Sequence, residues 1–250
     1  MATFVLVHGA WHGGWCWRKV TPLLRAAGHE VYTPTLTGLG ERAHLLSPDV
    51  NLSTHIDDVV SLLYYEDLSG VLLVGHSYGG MVITGVAERV PERLRRLVYL
   101  DALLPDDGQS MYDSEYDDDP GMRDRWTAGA IETQGVLAFP GSPTIVDSYL
   151  AAFHITDPVD LAWVRPRFKP HPLATAGEAL RVPEHRAAQI PSSYIRCAGS
   201  ADLPTPIHMH ARNAQARGFD YHEIASGHDA MVTAPRELAA LLIEIAARSS

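Results

Sequence analysis

The sequence lacks the cysteine content of a disulfide-bonded or thiol-based zinc protein. Its 250 residues include only Cys16 and Cys197, and these do not form a C-x-x-C pair. We also expect no secretory leader, because Met1 and Ala2 lead almost at once into an apolar strand. We therefore expect reduced thiols and a cytoplasmic protein.

Long apolar spans and an excess of basic residues are missing as well. Residues 70–87 carry no Asp, Glu, Lys or Arg over 18 positions, but their five glycines favour a buried strand, turn and helix over a membrane span. The net charge is −10. We expect neither a nucleic-acid nor a membrane partner; a homodimer is compatible with the sequence.

The negative charge is concentrated in one window. Residues 106–124 hold eight carboxylates and one arginine, which gives −7 of the net −10. Such runs are typical of a solvated face. The alternative is a negative rim that disfavours anionic substrates.

Metal-ligand motifs are also lacking. There is no H-E-x-x-H sequence, and His208 and His210, two positions apart on a helix, would point in different directions. We expect no metal and no other cofactor.

One stretch of the sequence does indicate chemistry. Residues 71–80, VLLVGHSYGG, run an apolar strand into G-x-S-x-G centred on Ser77 and then into a helix-forming segment. This pattern predicts a sharp turn that exposes the serine hydroxyl at the end of a buried strand. A serine needs a histidine base and an orienting acid to act as a nucleophile.

Candidates for both partners follow strands near the C-terminus. A strand over 220–225 precedes Gly227 and His228, which makes His228 the candidate base. A strand over 192–198 precedes Asp202, the preferred acid, because it is the one carboxylate in that loop. Asp101, at the end of a strand over 96–101, is the alternative acid.

A glycine-rich loop follows the first strand. Phe4–Val7 leads into HGAWHGGW, and backbone amides in such a loop can stabilise an oxyanion. The candidate donors are the amides of Ala10 and Tyr78. We expect His8 and His12 to shape this loop through hydrogen bonds, and His76 to be buried beneath Ser77.

Apolar strands at 3–7, 29–36, 70–75, 96–101, 192–198 and 220–225 alternate with amphipathic helical patterns. This alternation predicts an α/β fold with a mostly parallel sheet covered by helices on both faces, and chemistry at the carboxyl ends of the strands. The core is predicted over 1–104 and 186–250. Residues 105–185 break the alternation with many prolines and predict an inserted helical cap.

Large apolar residues of the cap either pack against the core or line a pocket above Ser77. The candidate substrate-binding residues are Trp11, Trp126, Phe139, Phe153 and Trp163.

The strand, elbow and G-H motifs resemble those of the α/β-hydrolase superfamily, in particular the branch of plant methylesterases, hydroxynitrile lyases and bacterial pyrethroid- and carbamate-hydrolysing esterases. The resemblance is densest over residues 3–103 and implies the α/β-hydrolase fold with the chain order Ser77, Asp202, His228. Some members place the acid after the strand that ends at Asp101. The lyases carry a threonine and a lysine where this sequence has Gly9 and Asp229, and an acidic residue there opposes an anion such as departing cyanide.

The sequence thus predicts a serine hydrolase that cleaves small, neutral, apolar carboxylic or carbamic esters through an acyl-enzyme. The alternatives are a lyase on the same triad and a ligand-binding receptor that keeps the fold without turnover.

Overall fold

The computed structural model describes residues 1–116, 121–202 and 207–248. Its strands in chain order are Thr3–Val7 (β1), Glu30–Tyr32 (β2), Val71–His76 (β3), Leu94–Leu100 (β4), Ile131–Thr133 (β5), Val136–Phe139 (β6), His171–Pro172 (β7), Ser192–Cys197 (β8) and Asp220–Ile224 (β9). The six core strands lie at the positions that the apolar runs predict.

These six strands form one sheet in the order β2-β1-β3-β4-β8-β9. Every pairing within it is parallel. The order reverses between β1 and β3, since β1 leads outward to β2 and β3 leads the other way to β4. Right-handed crossovers in opposite directions place the connecting helices on opposite faces, and a crevice opens where the directions diverge.

The α-helices are Thr21–Ala26 (α1), Leu52–Tyr65 (α2), Gly79–Arg89 (α3), Met111–Tyr116 (α4), Met122–Ala128 (α5), Pro143–Ala152 (α6), Pro158–Val164 (α7), Leu173–Gly177 (α8), Ile207–Ala216 (α9), Ala230–Thr233 (α10) and Pro235–Arg248 (α11). Helix α1 packs against α11, and α2 packs against α3.

Helix α2 shows why these segments are helical. Asn51 accepts a hydrogen bond from the Thr54 amide while the Thr54 hydroxyl accepts one from the Asn51 amide, which forms a capping box. Leu52, Ile56 and Leu63 then bury one stripe of the helix.

The region between β4 and β8 differs in part from the predicted helical cap. It contains the short helices α4–α8, but also an antiparallel sheet in the order β5-β6-β7. The strands of this sheet are two to four residues long, too short for the sequence periodicity to identify them. The division into a core of 1–104 with 186–250 and a cap of 105–185 stays a prediction.

Some carboxylates of the acidic window have structural partners. Asp106 pairs with Arg217 at 2.9 Å, and Asp107 accepts a hydrogen bond from the Val182 amide at 2.7 Å. Residues 117–120, with three of the eight carboxylates, lie outside the described residues.

Both cysteines are buried and free, and burial raises the pKa of each thiol, which leaves them unreactive. None of the helices in the described ranges combines the length and apolar character that crossing a bilayer requires.

Candidate active site

The turn after β3 has the backbone conformation that the elbow pattern predicts. Ser77 has φ +53°, in the left-handed region. Its amide donates to the Leu100 carbonyl at 3.3 Å, and its carbonyl accepts from the Gly80 and Leu103 amides at 3.0 and 3.1 Å. These bonds hold a conformation that an L-residue adopts only at a cost.

Glycine is required on both sides of this turn by close backbone contacts. A Cβ at position 75 would lie 2.6 Å from the Gly79 carbonyl oxygen, and one at position 80 would lie 2.0 Å from that of Leu103. No other residue allows strand and helix to approach so closely.

The loop after β1 lies directly beside Ser77. A Cβ on Gly9 would be 2.8 Å from the Ser77 Cβ. Among the described residues, the amides of Ala10 and Tyr78 donate to no protein acceptor. Both residues are buried, so these two N–H groups are available to a ligand atom next to the serine.

His8 fixes the orientation of the Gly9–Ala10 peptide. Its Nδ1–H donates to the Gly9 carbonyl at 2.8 Å, while its Nε2 accepts from the Leu36 amide at 3.0 Å. Burial lowers the pKa of His8 to about 3, so the ring is neutral. Because C=O and N–H point in opposite directions across a trans peptide, holding the Gly9 oxygen aims the Ala10 N–H away from His8. The predicted structural role of His8 is confirmed.

His228 lies against a carboxylate, but the carboxylate is that of Asp101. His228 Nδ1 is 2.7 Å from Asp101 Oδ2, and both side chains are buried. Since a carboxylate can only accept, Nδ1 carries the proton. Asp101 Oδ1 accepts from the Cys197 amide at 3.1 Å, with the Ser200 hydroxyl 3.2 Å away.

This contact favours Asp101, the alternative acid, over the preferred Asp202. The one Nδ1–H of His228 is bonded to Asp101, the alternative acid, and the side chain of Asp202 lies outside the described residues. Strands β4 and β8 are neighbours in the sheet, so a residue after either strand can reach the loop after β9.

The serine and the histidine lie at the same edge of the sheet. His76, which precedes Ser77, donates from Nε2 to the His228 carbonyl at 3.1 Å, and the two imidazole rings are 4.5 Å apart. No hydrogen bond joins the Ser77 hydroxyl to the His228 ring among the described residues. Such bonds commonly tighten only when substrate binds.

His76 is buried beneath the turn, as expected. Burial lowers its pKa well below the usual value, and the neighbouring His228 and His12 lower it further. A neutral His76 therefore serves as a hydrogen-bond donor to the loop that carries His228.

His12 and Asp229 form a second buried pair. His12 Nε2 is 2.9 Å from Asp229 Oδ2, and His12 Nδ1 is 2.7 Å from the Ala10 carbonyl oxygen. The expected role of His12 in shaping the loop is confirmed. Asp229 does not present a bare carboxylate to the site, because His12 compensates its charge.

The phenol of Tyr78 is anchored away from the serine. It lies 3.0 Å from His55 Nδ1, whose Nε2 lies 2.9 Å from the Thr37 carbonyl oxygen. Burial lowers the pKa of His55 to about 4. A neutral His55 that donates from Nε2 accepts a hydrogen bond from the phenol O–H at Nδ1. This hydrogen bond holds Tyr78, whose backbone amide faces the site, in place.

Aromatic rings from the cap surround Trp11. Its ring centroid lies 4.6 to 6.4 Å from those of five other residues, Trp126, Phe139, Tyr149, Phe153 and Phe168. Phe153 is also 4.9 Å from the His228 ring. We call these six residues the aromatic cluster. An open cleft of about 310 Å³ borders it at Trp126, Phe139 and Tyr149.

The aromatic cluster contains four of the five predicted substrate-binding residues. The fifth, Trp163, packs instead edge-on against Trp15, with ring centroids 5.4 Å apart, and under Lys19. Tyr149 and Phe168 also belong to the cluster, although they were not among the predicted substrate-binding residues.

The chain resembles known hydrolases over nearly its whole length. A family model described as the alpha/beta hydrolase family matches residues 4–241. A carbendazim hydrolyzing esterase from Nocardioides sp. (strain SG-4G) is 41% identical over 240 residues, covering 96% of this chain and 97% of that protein. Methylesterase 10 from Arabidopsis thaliana is 30% identical over 257 residues, covering 98% and 92%.

A solved structure agrees with these relatives in fold. An extracellular alpha/beta-hydrolase from a Paenibacillus species, described as sharing homology with tobacco salicylic acid binding protein 2, superposes with a TM-score of 0.82. The two sequences are 26% identical, and the match covers 98% of each chain.

Proposed function

The chain belongs to the alpha/beta hydrolase family and is an ester-hydrolysing enzyme, and we propose that it acts through an acyl-enzyme formed on Ser77. The observation that carries this proposal is the 2.7 Å contact of His228 Nδ1 with Asp101, at the sheet edge where Ser77 occupies its strained turn. The bound Nδ1–H leaves Nε2 as the basic nitrogen of the ring.

The proposed chemistry assigns each group one task. The Ser77 oxygen forms a bond to the ester carbonyl carbon while His228 Nε2 takes the hydroxyl proton. Asp101 keeps Nδ1 protonated and stabilises the imidazolium. The tetrahedral intermediate collapses, the leaving oxygen departs with its electron pair and takes the proton from His228, and water repeats the sequence on the acyl-enzyme.

The negative oxygen of the tetrahedral intermediate needs donors that are already in place. The Ala10 and Tyr78 amides are proposed for this task, because both lie next to Ser77 and neither donates to an acceptor in the described part of the chain. Removing one such donor costs a factor of about 10²–10³ in kcat in enzymes of this chemistry.

The proposed substrates are small, neutral, apolar carboxylic or carbamic esters. The aromatic cluster supports this choice, since its rings offer an apolar surface that reaches Phe153 beside His228. The Nocardioides relative is named for carbendazim hydrolysis, so carbendazim is the first compound to test.

The test compares wild type with Ser77→Ala on a panel of aryl, pyrethroid and carbamate esters that includes carbendazim. Ser61→Ala, an exposed serine on α2, is the matched control. We expect Ser77→Ala to lower kcat on the order of 10⁶-fold, and Ser61→Ala to leave it unchanged.

A p-nitrophenyl carbamate supplies the second readout, because its carbamoyl-enzyme hydrolyses slowly. We expect a burst of nitrophenol and a carbamoyl mass increase on the peptide that contains Ser77. Wild-type turnover by Ser77→Ala, or a mass increase elsewhere, would overturn the mechanism.

A further inference from the structure

His12 and Asp229 join two loops of the site, and neither side chain forms a hydrogen bond with the side chain of Ser77 or His228 in the described part of the chain. His12 Nδ1 bonds to the carbonyl of Ala10, and Asp229 directly follows His228 in the chain. The pair therefore ties the loop with the Ala10 amide to the loop with the base.

The partners of His12 define its protonation state. Both the Ala10 carbonyl and the Asp229 carboxylate are acceptors, at 2.7 and 2.9 Å. An imidazole donates from both nitrogens only as the imidazolium. The side chains of His12 and Asp229 are 1% and 0% exposed, so water does not replace either partner.

Together, His8 and His12 hold both peptide planes on either side of the Ala10 Cα. His8 bonds to the Gly9 carbonyl, which belongs to the plane that carries the Ala10 N–H. His12 bonds to the Ala10 carbonyl, which belongs to the next plane. Two fixed planes leave the Ala10 backbone little freedom to rotate, so the direction of its N–H is set.

We propose that His12 and Asp229 are positioning residues for ester hydrolysis, in which a doubly donating imidazolium holds the Ala10 carbonyl and thereby aims the Ala10 amide at the oxyanion. This inference rests on the proposed function of Ser77. It adds that the site contains two His–Asp pairs with different tasks.

Loss of one proton from His12 would break this arrangement on one side. The remaining proton stays on Nε2, because the Asp229 side chain accepts no other hydrogen bond in the described part of the chain, and His76 Nε2 lies farther away, 3.7 Å from Oδ1. The Nδ1 lone pair then faces the Ala10 oxygen across 2.7 Å. Two facing acceptors repel each other, and the loop is released.

Other titratable groups face the pair from several elements. Burial alone lowers the pKa of His12, but Asp229 and the Ala10 bond outweigh burial and raise it. The cap contributes the uncharged rings of Phe153 and Phe168. The titratable neighbours of the pair are His8, His76, His228, Cys16 and Cys197.

The substitution Asp229→Asn removes the negative charge of the pair but keeps a side chain of nearly the same size and shape. The amide group can donate to His12 Nε2, which leaves neutral His12 with its proton on Nδ1 and keeps the Ala10 bond. In this variant no proton is lost from His12 at alkaline pH. A purely structural role for Asp229 would not predict this change in the pH profile.

The experiment measures kcat and KM for p-nitrophenyl acetate from pH 6 to 10 in wild type and Asp229→Asn, with spontaneous hydrolysis subtracted. In parallel, NMR of ¹⁵N-histidine-labelled protein follows His12, whose signals are identified by their loss in His12→Gln. Asp220→Asn is the matched control, because Asp220 forms a His–Asp pair with His222 at 3.1 Å on the outer strand β9.

We expect wild-type kcat to fall at least tenfold at alkaline pH with the same midpoint as the His12 titration, while KM changes less. Asp229→Asn should lack this fall and show a neutral His12 at pH 7, and Asp220→Asn should match wild type. A wild-type His12 with one proton at pH 7, or an unchanged alkaline fall in Asp229→Asn, overturns the inference. Neither NMR result depends on whether Ser77 is the nucleophile.

Discussion

Two buried His–Asp pairs lie beside the same serine, and they differ in what else the histidine touches. His228 bonds to Asp101 through Nδ1 at 2.7 Å, and its Nε2 has no hydrogen-bond partner in the described residues. His12 bonds to Asp229 through Nε2 at 2.9 Å and to the Ala10 carbonyl through Nδ1. The His228 ring therefore has one nitrogen without a hydrogen bond in the described residues, whereas both nitrogens of the His12 ring are hydrogen-bonded.

The carboxylates differ in the same way. Asp101 also accepts a hydrogen bond from the Cys197 amide. The surrounding fold holds its backbone in a left-handed conformation, with φ +41°. Asp229 Oδ1 has no hydrogen-bond partner in the described residues and lies 3.7 Å from His76 Nε2, so the hydrogen bond from His12 to Oδ2 is the main stabilising contact of this carboxylate. In the proposed mechanism, the number of hydrogen bonds that the histidine makes, rather than residue type, distinguishes the pair that transfers a proton from the pair that positions the Ala10 amide.

Among changes to these two pairs, the largest expected effect is that of Asp101→Asn, which should lower kcat by a factor on the order of 10⁴. The Asn oxygen should stay on the Cys197 amide, which is a donor, so the NH₂ group turns toward His228 Nδ1. The ring then carries its proton on Nε2 and cannot accept one from Ser77. Steady-state kinetics on the best ester measures the loss.

Asp202→Asn is the matched variant for this prediction, because the sequence motif favoured Asp202. We expect its kcat to stay within a few-fold of wild type. A loss of about 10⁴ in Asp202→Asn with little change in Asp101→Asn would return the orienting role to Asp202.

The two acids show which parts of the site a single sequence predicts. Ser77 and its glycines are local signals, since the turn depends on residues adjacent in the chain, and the strands follow from apolar runs. Asp101 and Asp202 both follow strands that end at one sheet edge, so spacing alone does not decide between them. The 2.7 Å contact between the side chains of His228 and Asp101 favours Asp101, and it exists only in the folded protein.

The second pair was less accessible to sequence reasoning. His12 and Asp229 are 217 positions apart, and an acidic residue after His228 suggested repulsion of an anion rather than a compensated charge. The position of Trp163 was likewise not predictable, because its apolar character indicates that it is packed but does not show which neighbour it packs against. The sequence predicts chemistry within a motif, whereas packing between distant segments determines the partners.

Removing one member of the His12–Asp229 pair should have a smaller effect than Asp101→Asn, and this effect is on the free energy of unfolding. We expect Asp229→Leu to lower the free energy of unfolding by about 3–5 kcal/mol, because it leaves a buried imidazolium without its counter-charge. The double variant His12→Phe/Asp229→Leu should recover most of this loss, since apolar residues of similar volume replace both charges. Urea unfolding of Asp229→Leu, His12→Phe and the double variant measures the coupling between the two residues.

The surface pair Asp220–His222 provides the control cycle. It is partly exposed, so its coupling should be below about 1 kcal/mol. If the double variant of the buried pair were as unstable as the sum of its single variants, the two charges would not depend on each other, and the contrast between the two active-site pairs would be lost.

The smallest expected effect is the acid dependence of stability that Asp229 contributes. Burial alone would raise the pKa of this carboxyl group, but His12 outweighs burial and lowers it to about 2, from 3.8. A lowered pKa in the folded state means that the stabilisation is complete above the unfolded value and is lost as the pH falls toward 2. At about 1.4 kcal/mol per pKa unit, the loss is about 2–3 kcal/mol.

Other carboxylates also titrate in this range, so the informative quantity is the difference between wild type and His12→Phe/Asp229→Leu, which removes both titrating groups of the pair. Urea unfolding at pH 5, 3.5 and 2.5 should show the wild-type free energy of unfolding falling more steeply than that of the double variant. Parallel pH curves would mean that Asp229 is protonated equally easily in both states. His12 would then not hold the charge of Asp229, and the two pairs would no longer differ as their hydrogen bonds indicate.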